Sequence, residues 1–456
     1  MFRIGKIIKY MCIVLSLGSS FSPAIVASGQ LTLGDAVKRA LEKSPSLAIA
    51  TKKLEGAEAR ELGSMSAFFP RLDFQEYYLR TDQPVASFGS LLNQGRFTQQ
   101  DFALDRLNDP ASLDNFQTRF TVHQPLFVGG RLLNQYKMSR SEKKASELDL
   151  EWARSEVAFQ AIQGYWGLSL AQESEKVARM AVQTAEESLK QIELLHREGT
   201  VVRSDLLSAR VRLAKFQDSL VKARGRVRVA ERALELLIGD TPEGTYEVAS
   251  LTPPAQKETP EPSPEKLLIV AKEHRQEYIS LKARWDSAKA AARAAWGDFL
   301  PSLGLEASYE WNSPQFAEAQ EGSYIFGLGV QWNLFRGLED QARLKEARSN
   351  EEMILHQLRA LEDRMVLEIE EASVAVTTGQ ESIRVTEKSV GQAEENLRIV
   401  RQRYKEGLTT VVELEQAETA LSESRFEWLT AIFDLRIALA RLSLVTGELI
   451  SSVSNQ

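Results

Sequence analysis

Cysteine is almost missing from this chain: 456 residues contain one, Cys12. No disulfide framework and no cysteine-based zinc site can be built from it. Histidine is nearly as scarce, and His123, His196, His274 and His356 are scattered without metal-ligand spacing. There is no basic surplus. Lys and Arg number 56 against 63 Asp and Glu, a formal net of −7, so the basic face that a nucleic-acid binder needs is absent. Mean hydropathy is −0.26, and no apolar run past residue 28 approaches the ~20 residues of a spanning helix. There is no Walker A loop. Gly327-Leu328-Gly329 lacks a third glycine, and Ser141-Glu142-Lys143-Lys144 matches a nucleophile pattern only formally, inside a charged helical run. Past the leader the methionines (Met65, Met138, Met180, Met353, Met365) are few and dispersed, which gives a copper-handling sulfur chain no support. No catalytic constellation, cofactor or metal is expected.

Proline is absent from two long stretches, between Leu126 and Thr241 and after Pro314. Helix interiors reject proline, and both stretches are rich in good helix formers. In the first, Val157, Ile162, Trp166, Leu170 and Val177 recur at helical spacing, followed by Leu189, Ile192, Leu195, Leu206, Leu213, Phe216 and Leu220. Gly199 and Gly407 interrupt the pattern and read as helix-to-helix turns. A helix from Met138 to Leu195 would run roughly 85 Å at ~1.5 Å per residue. Such a length suggests a coiled coil or a helical barrel.

The first 28 residues carry Arg3, Lys6 and Lys9 and no acid, then Met11 to Leu17, then Pro23 and Ala24 to Ser28. Positive start, short apolar middle and small-residue exit predict a secretory signal peptide over 1–28. Its removal would take away Cys12 and three positive charges, moving the net from −7 to −10.

The remainder is an internal duplication. A shift of 208 lays Leu126-Phe127 on Leu334-Phe335, Glu198-Gly199 on Glu406-Gly407, Asp205-Leu206 on Glu413-Leu414, and Gly239 on Gly447. A shift of 231 lays Pro70 on Pro301 and Leu72 on Leu303, so the first copy carries a 23-residue insertion between about Thr81 and Asn115. The expected organisation is a first repeat over 29–240, a Pro/Glu-rich linker over 241–264 and a second repeat over 265–456. Each repeat has short helices, then a β-hairpin (about 70–126 and 300–335), then a long helical hairpin (about 130–240 and 338–448).

Within each hairpin the period becomes two. Leu303, Leu305, Ala307, Tyr309 and Trp311 alternate with small or polar residues, as do Tyr324, Phe326, Leu328, Val330 and Trp332 with Ile325 through Asn333. In the first copy Phe116, Thr118, Phe120 and Val122 make the clearest strand, and Leu72, Phe74 and Tyr78 a weaker partner. Strands of about 9–11 residues with one apolar, aromatic-ended face mark a lipid-facing barrel wall, and equally a half-buried soluble sheet. Four strands cannot close a barrel, which needs roughly eight or more. Two copies would give eight strands and three would give twelve.

Taken together, the signal peptide, the duplicated halves and the strands flanked by Phe69-Pro70 and Leu300-Pro301 resemble the TolC-like outer-membrane efflux proteins. So do Leu31-Thr32-Leu33-Gly34-Asp35-Ala36-Val37, Ser44-Pro45-Ser46-Leu47, Gln124-Pro125-Leu126-Phe127 and Gln331-Trp332-Asn333-Leu334-Phe335. The resemblance implies a mainly α chain with a membrane β-barrel. Three chains would form a periplasmic helical barrel of long α-hairpins, each chain adding four strands to a 12-stranded barrel in outer-membrane lipid. It implies a bacterial outer-membrane location, a homotrimer, a periplasmic adaptor (membrane fusion) protein and an inner-membrane pump of RND or ABC type. The protein would be a passive exit duct for efflux or type I secretion, with cargo choice left mostly to the pump.

Residue by residue, the resemblance makes Glu198, Gly199 and Thr200, with Glu406, Gly407 and Leu408, the adaptor-docking tips. Asp205 and Glu413 take the place of acids at a narrow aperture, where a three-fold carboxylate ring favours cations. Glu415 and Gln416 stand where a second acid is often found, and Thr409 where the family has a basic latch. Asp205 and Glu413 equally read as acids stabilising helix N-termini. Tyr309, Trp311, Tyr324 and Trp332 are expected as membrane-interface aromatics. The alternative is a secreted, soluble coiled-coil structural or adhesive protein, which has no reason to repeat alternating strands once per half.

Overall fold

A computed structural model describes residues 31–240, 246–254, 263–318 and 322–450. The expected signal peptide and, within the linker, residues 241–245 and 255–262 lie outside the described residues. The chain runs α1 (Leu33–Lys43), α2 (Pro45–Ser66), β1 (Arg71–Thr81), α3 (Pro84–Asn93), α4 (Leu104–Asn108), β2 (Leu113–Val128), α5 (Arg131–Arg197) and α6 (Arg203–Ile238). It continues with α7 (Pro264–His274), α8 (Gln276–Trp296), β3 (Ser302–Ser313), β4 (Ser323–Gln331), α9 (Glu339–Lys405) and α10 (Val411–Thr446).

The proline-free stretches are the four long helices. α5 and α9 have 67 residues each, and α6 and α10 have 36 each. All their ends coincide under the 208-residue shift. At ~1.5 Å per residue the 67-residue helices are about 100 Å long, longer than the sequence stripe alone suggests. α6 lies against α5, α10 against α9 and α5, and α2 and α8 against α5. Together the four long helices form two antiparallel hairpins side by side.

Apolar contact is concentrated in two places. The larger cluster sits at mid-length, where Ile162, Tyr165, Leu168, Leu234, Ile238, Met365, Ile369, Val376, Ile432 and Leu435 meet. There residues 246–251 cross α5. The Tyr165 hydroxyl donates to Leu31 O at 3.0 Å and accepts from Ala249 N at 2.9 Å, and Ser169 Oγ donates to Ala249 O at 2.7 Å. The smaller cluster lies near the hairpin ends and is built around Ile192, Leu397, Val400, Tyr404, Val411 and Leu414.

The strands form one antiparallel sheet in the order β1-β2-β3-β4. Its register pairs Phe74 with Phe120, Tyr78 with Phe116, Phe120 with Tyr309, and Tyr309 with Tyr324. One face therefore carries Leu72, Phe74, Tyr78, Phe116, Phe120, Val122, Leu305, Tyr309, Trp311, Phe326, Leu328 and Val330. The other carries Arg71, Asp73, Gln117, Arg119, His123, Glu306 and Glu310. Two acids lie on the aromatic face: Glu76 accepts from Thr118 Oγ1 at 2.5 Å, and Asp114 from the Tyr78 hydroxyl at 2.8 Å. β4 stops at Gln331, opposite Ser302, two residues short of the alternation in the sequence. Pro301 precedes Ser302 and has no N–H to extend the ladder. Among the described residues no helix is long and apolar enough to cross a membrane.

Candidate functional site

Both hairpins reverse in the same way. At the first tip Gly199 adopts φ +79°, Gly199 N donates to His196 O at 3.1 Å and Thr200 N donates to Leu195 O at 2.9 Å. At the second, Gly407 adopts φ +72°, Gly407 N donates to Tyr404 O at 3.1 Å and Leu408 N donates to Arg403 O at 2.9 Å. A left-handed glycine followed by a bond back across five residues closes the last turn and satisfies carbonyls that the helix leaves free. Glu198, Gly199, Thr200, Glu406, Gly407 and Leu408 all stand exposed at these tips.

The acids follow at the start of the return helices. Asp205 is half-buried in the first turn of α6. Glu413 is exposed in the first turn of α10. Thr410 caps α10, its Oγ1 accepting from Glu413 N at 3.3 Å, while Thr409 Oγ1 donates to the Glu413 carboxylate. Both acids are thus placed where the helix dipole favours negative charge. Beside them Tyr404 is buried with its hydroxyl unpartnered. Burial raises its pKa first, and Asp205 and Glu415 add to the rise.

About two turns beyond Asp205 lies a polar cluster that the sequence reading did not single out. Arg212 of α6 and Glu418 of α10 are buried, their side chains 10% and 3% exposed, with Arg212 Nε 3.0 Å from Glu418 Oε2. Ser188 Oγ of α5 donates to Glu418 Oε1 at 2.6 Å, and Arg401 of α9 reaches it at 4.0 Å. Arg212 also donates to the Glu415 carbonyl and, at 3.1 Å, to Thr419 Oγ1, and its guanidinium lies 5.1 Å from the Phe216 ring. One pair of charges therefore ties all four long helices together. Desolvation lowers the Arg212 pKa despite Glu418 and Glu415, and raises that of Glu418 despite Ser188, Arg212 and Arg401. The available signal is that Arg212 falls on the buried stripe of α6 with Ala209, Leu220 and Ala223. Glu415 is half-buried, 3.7 Å from Arg212 Nη1. Gln416 is exposed and lines, with Arg212, Phe216, Thr419 and Phe426, an open groove of about 1170 Å³ between α5, α6 and α10.

At the other end of the molecule Tyr309 and Tyr324 pair across β3 and β4, and Trp311 lies 5.9 Å from Tyr309. Trp332 stands just past β4, its Nε1 donating to Phe299 O at 3.1 Å. These four aromatics fall at opposite ends of the aromatic face.

The outer membrane efflux protein family model matches residues 36–240 and 267–448. The chain belongs to the outer membrane efflux protein family. A relative, the alkaline protease secretion protein AprF of Pseudomonas aeruginosa, is 25% identical over 427 residues, 92% of this chain and 85% of that protein. The outer membrane protein VceC of Vibrio cholerae superposes with a TM-score of 0.79 at 18% identity, over 91% of this chain and 96% of that one. The Campylobacter jejuni CmeC outer membrane channel gives 0.79 at 19% identity, over 91% and 86%. This outer membrane efflux protein is therefore a channel component and not a soluble coiled-coil fibre. Its long helices lie in the periplasm and its four strands in the outer membrane. Family members are channel proteins that work with periplasmic adaptors and inner-membrane pumps.

Proposed function

We propose that three copies of the chain assemble into one passive exit duct, fed by a periplasmic adaptor and an inner-membrane pump. The observation that carries this reading is the unclosed sheet. β1 and β4 are edge strands, and an open edge in lipid leaves backbone groups without partners. Twelve strands from three copies would close the wall around the polar face. The long helices support the same assembly: Leu367 and Val374 of α9 and Val211 and Val221 of α6 are exposed in the single chain.

The glycine tips would dock the adaptor, and Asp205 and Glu413 would line the aperture as carboxylate rings, with Glu415 and Gln416 one turn behind. The four-helix tie at Arg212 and Glu418 would hold the hairpins in register at rest. A polypeptide is the cargo class favoured by the likeness, over 92% of this chain and 85% of the relative, to a protease secretion protein. The test is single-channel recording in planar bilayers, with wild type compared against Glu413→Ala over a pH series. A cation-selective pore whose conductance or acid sensitivity changes with the substitution supports the duct and its ring. A pore indifferent to Glu413→Ala moves the aperture to Asp205, and protein with no current at all sinks the duct.

A further inference from the structure

Residues 82–112, between β1 and β2, are not a bare loop. They hold α3, a 3-10 turn over Gln99–Phe102, and α4. Phe97 stacks edge-on against both Phe88 and Phe102, with ring centroids 4.8 and 5.0 Å apart, so the segment is a packed unit. Its main helix is inside out. The stripe Ser87, Ser90 and Gln94 of α3 and its C-cap is buried, while Val85 and Leu92 point to solvent, Val85 being 82% exposed. Phe102 and Leu104 add to this apolar surface, Leu104 at 77% exposed.

The polar stripe meets the polar face of the sheet. Gln94 Nε2 donates to Asp114 O at 2.9 Å and to Asn115 Oδ1 at 2.8 Å, and Asn115 Nδ2 donates to Asn312 Oδ1 at 2.8 Å. All three amide side chains are buried. In the strand register Asn115 and Asn312 share the face of Arg119, His123 and Glu310, opposite the aromatic wall. The cap is therefore fixed to the inner side of the wall, at the end away from the helices. A helix that buries its polar stripe and exposes its apolar one lacks a partner for the apolar surface.

We propose that the partner is the same cap in the other copies of the chain. Val85, Leu92, Phe102 and Leu104 then meet over the barrel axis as a dry outer constriction. The cap springs from β1, an edge strand, so its contacts continue the edge-to-edge closure of the wall. Apolar constrictions stop ions by excluding water, and cargo pushed from below would part the caps. This inference rests on the trimeric duct proposed above.

Two variants of the full chain test it, each checked for mass in detergent. In one, residues 84–111 are replaced by an Asn-Gly turn. The other is Leu104→Cys, in a chain whose only native cysteine is Cys12. The expected results are trimers throughout, resting conductance raised at least about twofold by the excision, and disulfide-linked pairs of chains from Leu104→Cys under mild oxidation. Trimers with unchanged conductance after excision and no linked pairs overturn the cap while leaving the duct intact. Should the excised chain fail to fold, the presence or absence of Leu104→Cys pairs decides. Wild-type protein that is neither trimeric nor conducting overturns the duct and the cap together.

Discussion

Removing Arg212 would leave Glu418 buried with Ser188 as its hydrogen-bond donor and only Arg401, 4.0 Å away, as a counter-charge. Arg212→Ala should therefore lower stability by about 3–5 kcal/mol, read as a fall in the thermal midpoint in detergent. Replacing both partners removes both desolvation costs. Arg212→Met with Glu418→Leu should return the midpoint to the wild-type value or above, while the hairpin ends exchange amide protons faster because the four-way tie is gone. An Arg212→Ala midpoint equal to wild type would refute the pair's role. A second charge cluster governs acid behaviour. Burial would raise the pKa of Asp240, but Lys43 at 2.6 Å, Tyr246 and Arg39 outweigh it and hold the carboxyl below its usual range. A depressed carboxyl stabilises the fold above its unfolded pKa of about 3.9 and loses that contribution as pH falls through the lower folded value. Thermal midpoints taken from about pH 6 to about pH 3 should drop less steeply in Asp240→Asn than in wild type. Asp240 also accepts from Tyr246 at 3.0 Å, and that phenol is pushed up to about 12 by burial and then by the carboxylate.

At the level of elements, glycines close the long helices, and the tip and the base of a hairpin use them differently. Gly407 turns in open space, whereas a Cβ on Gly447 (φ +82°) would sit 2.5 Å from the carbonyl carbon of His274. Gly407→Ala bears only the left-handed strain, about 1–2 kcal/mol. Gly447→Ala adds a clash that must push α7 off the end of α10. Midpoints should fall in the order wild type, Gly407→Ala, Gly447→Ala, and an inverted order would refute the packing argument. The long helices were legible because proline exclusion and the 208-residue shift bound them from both sides. β2, β3 and β4 were legible from alternation. β1 was weaker because Glu76 and the adjacent Tyr77-Tyr78 break the period of two. α3 was illegible because its buried stripe, Ser87, Ser90 and Gln94, reads as surface. The glycine turns could be placed from sequence by their repetition. Arg212 and Glu418 could not, because each reads as a solvated charge until the two hairpins are laid side by side.

For the whole molecule the balance of surface is decisive. The mid-length core and the tip cluster satisfy the two hairpins, yet α9 leaves Met353, Leu367 and Val374 exposed, with Leu367 and Val374 seven residues apart. A seven-residue apolar interval on a long helix is the spacing of a seam against another helix, and among the described residues no element covers it. Leu367→Glu with Val374→Glu therefore changes mostly exposed surface of the single chain. The doubly substituted chain should keep its far-UV helical signal and its monomer fold. If the proposed trimer is the assembled state, its mass in detergent should fall from three chains to one, and its bilayer current should vanish, because an open four-stranded sheet cannot hold a pore in lipid. If the trimer survives both glutamates, α9 is not the seam and the apolar positions of α6, Val211 and Val221, must carry the assembly. If helical signal and trimer are lost together, the hairpins depend on one another for folding, and the single chain is not the folding unit.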